Sequence, residues 1–93
     1  PFDPVAWRHA ANGQSEIRIR MIDDLLYRHD FHGLTRKEVV AMLGEPTSTE
    51  YFREWDMVYW LGTERGGFRI DSEWFILRLD DTERVEEYRI ARD

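Results

Sequence analysis

The chain has 93 residues, of which 42% are hydrophobic and 14% aromatic. This length corresponds to one domain, and the composition is too apolar for a disordered chain. The 13 basic and 19 acidic residues give a formal charge of -6 at pH 7, and cysteine is absent. The acidic balance argues against nucleic acid or an anionic membrane surface as the main partner, and the lack of cysteine excludes disulfides, thiolate metal sites and cysteine nucleophiles within this chain.

The N-terminal residues lack a clear helical or strand period. Asp3-Pro4 and Asn12-Gly13 are turn signals. We therefore expect an ordered or half-ordered arm over residues 1–14 and a single α+β domain over residues 15–93. Because the chain begins with Pro1 and not Met, we also expect a trimmed or mature form. Three apolar residues of the arm can pack onto the domain: Phe2, Val5 and Trp7.

A first helix is predicted from Ser15 to Arg28. Asp24 and Arg28 stand four residues apart with the acid first, an order that stabilises a helix. A short connector, His29–Gly33, follows. The evidence for this first helix is an apolar stripe at helical spacing, formed by Ile17, Met21, Ile22, Leu25 and Leu26.

The segment Leu34–Pro46 carries its own start and stop signals for a second helix, Arg36–Leu43. Thr35 is a favourable N-cap, and Glu38 three residues later completes a capping box. Gly44 suits a left-handed position after the last turn, and the proline prevents the helix from continuing. The residues predicted to face the core are Val39, Met42 and Leu43.

The chain beyond Pro46 has the composition of strands, because aromatic and β-branched residues alternate with Gly and Asp clusters. Asp80–Glu83 has the length of a hairpin loop. We therefore predict an α+β fold, with two N-terminal helices packed on one face of an antiparallel sheet of three or four strands. The strands are predicted near Tyr51–Phe52, Met57–Leu61, Glu73–Leu79 and Val85–Ala91.

Two short helices can cover only one face of such a sheet, and side chains along a strand alternate between faces. We expect large aromatics on the uncovered face, where they would mark an interaction site. In the alternative, the N-terminal arm or the 62–72 loop folds over that face and completes a second small core. The candidate aromatics are Trp55, Tyr59, Trp60 and Trp74.

The polar residues form no recognisable catalytic motif, so we predict no enzyme, no catalytic residue, no metal and no cofactor. His29 and His32 have the spacing of two metal ligands but lie in a connector without a supporting motif. Asp23-Asp24 and Asp80-Asp81 are interpreted as helix charge and turn chemistry. The loop over residues 62–73 is the competing site, where polar residues could bind a small ligand or an anion or could brace the loop: Arg65, Asp71 and Glu73.

The motif Gly33-Leu34-Thr35-x-x-Glu38-Val39-x-x-x-Leu43-Gly44-x-Pro46 resembles the small-protein-A/outer-membrane-lipoprotein-A (SmpA/OmlA, BamE-like) family. The family pattern reads G-M-T-x-x-E/Q-V-x-x-L-L-G-x-P, and the chain departs from it at Leu34 and at Ala41-Met42. Tyr59–Gly66 and Ile70–Trp74 resemble a branch of small bacterial proteins often predicted to be lipoproteins. The resemblance covers about residues 17–91 and implies a fold like one repeat of the β-lactamase inhibitor proteins.

The resemblance also implies a function and a location. Members of the family are non-enzymatic protein-binding modules of the bacterial cell envelope, held there by a lipid-bearing cysteine upstream. We therefore expect an envelope protein as partner, with no nucleic acid, and contact with a membrane only through such an anchor. The alternative location is the cytoplasm, and the alternative function is inhibition of a secreted enzyme. A second copy of the chain, joined through edge strands, is a further candidate partner. The predicted binding surface combines the sheet face with the 62–73 loop. Its partner-binding residues are predicted to be Trp55, Tyr59, Trp60, Arg65, Asp71, Glu73 and Trp74.

Overall fold

The computed structural model describes residues 3–9, 17–63 and 72–93. These residues form an α+β structure, as predicted, in which three helices precede a three-stranded antiparallel sheet of order β1-β2-β3. The elements are α1 (Pro4–His9), α2 (Ile17–Arg28), α3 (Arg36–Leu43), β1 (Met57–Thr63), β2 (Ser72–Leu79) and β3 (Val85–Arg92).

Helix α3 has the predicted bounds, because both of its ends are capped by neighbouring residues. The Thr35 Oγ1 accepts the Glu38 N–H at 3.1 Å, and the Glu38 carboxylate accepts the Thr35 N–H at 2.9 Å. These bonds complete the capping box. At the other end the Gly44 N–H donates to the carbonyl of Val40 at 2.8 Å. Gly44 has φ 80, as predicted, but its ψ of -171 is not that of a left-handed helical residue.

The N-terminal segment contains a helix that the sequence pattern did not indicate. The Asp3 carboxylate accepts the backbone N–H of Val5 at 3.0 Å and starts α1. Trp7 is fully buried, and its indole N–H donates to the carbonyl of Leu43 at 2.7 Å. Packing of Trp7 on the domain is thus confirmed, whereas Val5 is exposed and Phe2 lies outside the described residues.

One face of the sheet shares a hydrophobic core with the helices. The alternation predicted for the strands is confirmed along β1, along β2 from Phe75 and along β3 from Tyr88, whereas a bulge between Val85 and Glu87 shifts the alternation at the start of β3. Helix α2 adds Ile19, Ile22 and Leu25, and α3 adds Val39 and Leu43. The sheet residues buried in this core are Met57, Tyr59, Leu61, Phe75, Leu77 and Val85, with Tyr88 and Ile90 packed against them.

Residues 51–54 form a turn, so the strand predicted at Tyr51–Phe52 is wrong. Phe52 has a φ of 57, a left-handed conformation incompatible with a strand and uncommon for a bulky side chain. The Trp55 N–H donates back to the carbonyl of Phe52 at 2.9 Å and closes the turn. Composition indicated a strand here because aromatics are frequent in strands, yet these aromatics pack on a sheet and do not extend it.

Both edges of the sheet are partly capped by loop residues. On the outer side of β1, the Thr47 N–H donates to the carbonyl of Val58 at 2.8 Å, and the Thr47 hydroxyl accepts the Trp60 N–H at 2.9 Å. On the outer side of β3, Val85 accepts the Gly33 N–H at 2.9 Å and donates to the carbonyl of Leu34 at 2.8 Å. These bonds attach the segments around α3 to both edges of the sheet.

Candidate functional site

The second face of the sheet carries a separate cluster of apolar side chains, here called the aromatic face. At its centre Val58, Trp74 and Ile76 are buried. The residues packed against this centre are Phe52, Trp55, Trp60 and Ala91. The structure therefore brings three of the predicted partner-binding residues together on one surface: Trp55, Trp60 and Trp74.

Trp60 and Trp74 are direct cross-strand partners between β1 and β2. The Trp60 indole N–H donates to the Ser72 hydroxyl at 3.2 Å, and the Trp74 indole N–H donates to the Asp93 carboxylate at 2.9 Å. Large side chains opposite one another stabilise antiparallel strands, and these bonds satisfy both polar tips. The pair is therefore part of the scaffold as well as of the surface.

The aromatic face is covered in part by the turn at residues 51–54. The Tyr51 and Phe52 rings lie 5.7 and 6.1 Å from the Trp74 ring, centre to centre. Trp74 is only 5% exposed to solvent, so the expectation of an exposed indole at this position is wrong. Tyr51 is 57% exposed, and Trp55 and Trp60 are half-buried. Among the described residues this cover comes from the 51–54 turn; most of the 62–72 loop considered above lies outside the described residues.

Two other predicted partner-binding residues, Tyr59 and Glu73, are buried away from this surface. Tyr59 lies in the core between helices and sheet, fully buried, and its hydroxyl donates to the carbonyl of Gly44 at 2.8 Å. Glu73 is 2% exposed. A partner cannot reach either side chain in this conformation. Arg65 and Asp71 lie outside the described residues, as does most of the 62–73 loop.

Two arginines from the sheet lie over the ring of Trp55. The guanidinium carbons of Arg78 and Arg89 lie 4.1 and 5.0 Å from the centre of its ring. Arg78 also donates to the Glu87 carboxylate at 2.8 Å. A guanidinium over an indole is attracted by the ring quadrupole and keeps its N–H donors at the rim. The stack therefore orients Trp55 and presents hydrogen-bond donors beside it.

A shallow open groove of about 320 Å³ runs beside this stack. Its walls come from the segment between α3 and β1 and from the first residues of β1. Its lining includes three aromatic residues, Tyr51, Phe52 and Trp55, and polar residues such as Thr47 and Asp56. An open site of this kind fits a side chain or a short segment of another molecule better than an enclosed ligand.

Among the described residues, the groups with displaced pKa values serve the scaffold. Burial lowers the pKa of the Arg18 guanidinium to about 10 and raises the pKa of Tyr59. Backbone N–H groups lower the pKa of Asp30 and Glu38, and bonds from Thr82 lower the pKa of Asp80. Each displacement follows from burial or from a local turn or cap and not from a cleft that assembles acid and base groups.

The alternative sites considered from the sequence have structural roles where they are described. The Nδ1 of His32 forms a hydrogen bond of 2.7 Å with the Asp30 carboxylate. Asp24 forms the predicted ion pair with Arg28, at 3.0 Å. Asp80 accepts the backbone N–H of Thr82 at 2.8 Å in the hairpin turn. Within residues 3–9, 17–63 and 72–93, no group of three or more His, Cys, Asp or Glu side chains could hold a metal ion.

Sequence reasoning missed four residues that shape the aromatic face: Tyr51, Phe52, Arg78 and Arg89. The two aromatics were assigned to a strand. The two arginines could have been identified, because Arg78 shares a strand face with Trp74, and Arg89 shares one with Ala91. Their convergence on Trp55 depends on the turn, which no local pattern specifies.

None of the helices in the described part of the chain is long and apolar enough to cross a lipid bilayer. Comparison with protein-family models, curated proteins and solved structures finds no match to this chain.

Proposed function

We propose that this chain is a non-enzymatic protein-interaction module of the bacterial cell envelope that binds its partner through the exposed part of the aromatic face. The observation that carries the proposal is the Trp55 stack, a half-buried indole held by Arg78 and Arg89 beside the exposed ring of Tyr51. Trp, Tyr and Arg are the residues most enriched at the energetic centres of protein interfaces. A side chain held in advance also loses little freedom when a partner binds.

The charges around Trp55 indicate the chemistry of the partner. Arg53 lines the groove, and Arg89 lies over the indole; both are exposed, and neither forms an ion pair within the described residues. Arg78 is already paired with Glu87. A partner segment with an apolar side chain for the groove and a carboxylate for Arg89 would match this surface.

The fold and location belong to the same proposal. We place the chain in the BamE-like group, with its helices on one face of a sheet like that of one β-lactamase inhibitor repeat. Support comes from the capping box of Thr35 and Glu38 and from the core that α2 and α3 share with the sheet. The envelope location rests on the resemblance of the Leu34–Pro46 motif alone, and fractionation of cells producing the tagged full gene product tests it.

Site-specific crosslinking tests the binding surface. A photoreactive phenylalanine at Tyr51, installed in cells, should capture a discrete envelope protein. The same residue at Tyr27, which is 90% exposed on α2, should not capture it. Adding Trp55→Ala to the Tyr51 probe should abolish the crosslink while the fold is retained. An equal yield at both positions, or a yield unaffected by Trp55→Ala, would refute binding through this surface.

A small-ligand binder is the second candidate, favoured by the groove of about 320 Å³ between Thr47 and Trp55. This volume is at the lower end of the range for ligand sites. A thermal-shift screen against carboxylates, phosphates and aromatic metabolites separates the candidates. A ligand that raises the melting temperature of the native chain but not of the Trp55→Ala variant would favour this function over protein binding.

A further inference from the structure

We propose that residues 48–54, here called the flap, open away from the aromatic face while the sheet beneath them stays intact, and that this opening exposes the apolar centre of that face. As a gate for a partner, the flap rests on the function proposed above. As a motion of this chain it is tested without any partner, so the two proposals can fail separately. Three features of the described residues support it: two fixed ends, few attachments between them, and a left-handed residue inside the flap.

Both ends of the flap are fixed to the sheet by hydrogen bonds. Just before the flap, the Thr47 N–H donates to the carbonyl of Val58 at 2.8 Å. Just after it, the Asp56 N–H donates to the carbonyl of Leu77 at 3.0 Å, and the Asp56 carboxylate accepts the Leu79 N–H at 2.7 Å. The chain between these two points can therefore swing outward without disturbing the pairing of the strands.

Between its ends the flap is held to the sheet by ring contacts. Within the described residues its hydrogen bonds are local: the Tyr51 N–H donates to the Thr49 hydroxyl at 3.1 Å, and the Phe52 carbonyl accepts the Trp55 N–H at 2.9 Å. The Tyr51 and Phe52 rings rest against Trp74. Such contacts are weak beside the hydrogen-bonded ladder of the strands, so the flap should open at a lower free energy than the sheet.

The backbone of Phe52 opposes the closed position. Its φ of 57 crowds the Cβ of a bulky residue against the backbone. A residue strained in this way persists only where surrounding contacts hold it, and here those contacts include its ring against Trp74. Relaxing Phe52 to a negative φ takes the turn apart, because its carbonyl no longer faces the Trp55 N–H. Loss of the ring contact and loss of the turn should therefore occur together.

Opening would add a buried apolar surface to the accessible part of the aromatic face. With the flap closed, Val58, Trp74 and Ile76 are buried. Trp55 lies outside the flap and stays on its arginines, so it would mark the edge of the enlarged surface. A partner that places an apolar side chain on this centre would favour the open form, because a ligand shifts an equilibrium toward the state it binds more tightly.

Amide hydrogen exchange of the native chain tests the motion. The protection factor of the Trp55 N–H should be at least about tenfold lower than those of Thr47 and Asp56, whose bonds to the sheet survive the opening. Phe52→Ala should lower it about tenfold further and leave the other two unchanged. Glu50→Ala, which alters an exposed side chain of the same flap, should change none of the three. Equal protection of the three N–H groups, or a Trp55 N–H that does not respond to Phe52→Ala, would overturn the proposal.

A second variant at the same position separates backbone strain from the ring contact. Phe52→Gly and Phe52→Ala both remove the ring, but glycine adopts a positive φ without strain. The Trp55 N–H should therefore be protected about threefold or more better in Phe52→Gly than in Phe52→Ala. Equal or poorer protection in the glycine variant would contradict the role given to the left-handed backbone.

Thiol labelling tests whether the opening reaches the centre of the aromatic face, because the chain has no cysteine of its own. Ile76→Cys places one thiol in that centre, and Val39→Cys places one in the core between helices and sheet. Each labelling rate is compared with the rate expected from global unfolding, which urea denaturation of the same variant supplies. The thiol of Ile76→Cys should react at least about tenfold faster than global unfolding allows, and that of Val39→Cys should not. A thiol of Ile76→Cys that reacts only by global unfolding would overturn the proposal.

Discussion

The guanidinium of Arg18 lies over the ring of Trp7, with 4.3 Å between its central carbon and the ring centre. The same group donates to the carbonyl of Trp7 at 2.8 Å and to the carbonyl of Trp60 at 2.9 Å. One buried side chain of α2 therefore joins α1 to the sheet. This contact explains how a six-residue helix, too short to be stable alone, keeps a fixed place on the domain.

Replacing Arg18 with alanine should lower the free energy of unfolding by about 2–4 kcal/mol, because it removes the buried hydrogen bonds to the carbonyls of Trp7 and Trp60 and empties the space beside Trp7. Urea denaturation followed by tryptophan fluorescence measures the loss. Arg28→Ala, which removes an arginine from an exposed ion pair on the same helix, should cost less than about 1 kcal/mol. Equal losses for the two variants would contradict a structural role for Arg18.

Replacing Thr35 with alanine should destabilise the domain by about 1 kcal/mol, since the N–H of Glu38 loses its capping acceptor. Thr35→Ser keeps the hydroxyl and should retain most of the stability. The two variants are compared by urea denaturation at neutral pH. A serine variant as unstable as the alanine variant would show that the methyl group and not the cap supplies the stability.

Acid should destabilise the domain through its hydrogen-bonded carboxylates. The N–H of Thr35 lowers the pKa of Glu38, and similar bonds lower the pKa of Asp30 and Asp80. The unfolded chain then binds more protons than the folded one as pH falls. Stability is therefore complete above the ordinary carboxyl pKa values of about 4 and is lost as pH falls through the lower folded values.

Glu38→Gln should make this loss of stability with acid shallower, because glutamine keeps an acceptor for the Thr35 N–H but takes up no proton. Urea denaturation across the acid range measures the slope. Glu54→Gln is the matched control, since Glu54 is exposed and forms no hydrogen bond or ion pair within the described residues. A Glu54 variant that flattens the slope as much as the Glu38 variant would contradict the assignment.

Alanine substitutions should show that one tryptophan of the aromatic face supports folding and another supports partner binding. Trp74→Ala should cost about 3–5 kcal/mol of folding free energy, because the indole is buried at the centre of the cluster. Trp55→Ala should leave the chain folded by circular dichroism and weaken partner binding about tenfold or more. A Trp55 variant that unfolds would assign that indole to the scaffold and remove it from the proposed surface.

Local signals in the sequence predicted much of the scaffold. The bounds of α3 were predicted because the residues that cap its two ends lie within the helix or next to it in the sequence: Thr35 and Glu38 at its start and Gly44 at its end. The two faces of the strands were predicted because alternation is a property of extended backbone. Helix α1 was not predicted, because six residues show no period and the burial of Trp7 comes from contacts with distant residues.

The candidate site could be predicted only in part, for the same reason. The sequence by itself determined that large aromatics lie on the second face of the sheet, since Trp60 and Trp74 alternate with core residues along their strands. Only the tertiary structure decided which of them remain accessible. Phe52 adopts a left-handed conformation, and the turn around it packs two rings against Trp74 and places the Trp55 ring in contact with Arg78 and Arg89. Periodicity assigns a side chain to a face, whereas its exposure depends on which distant segment packs there.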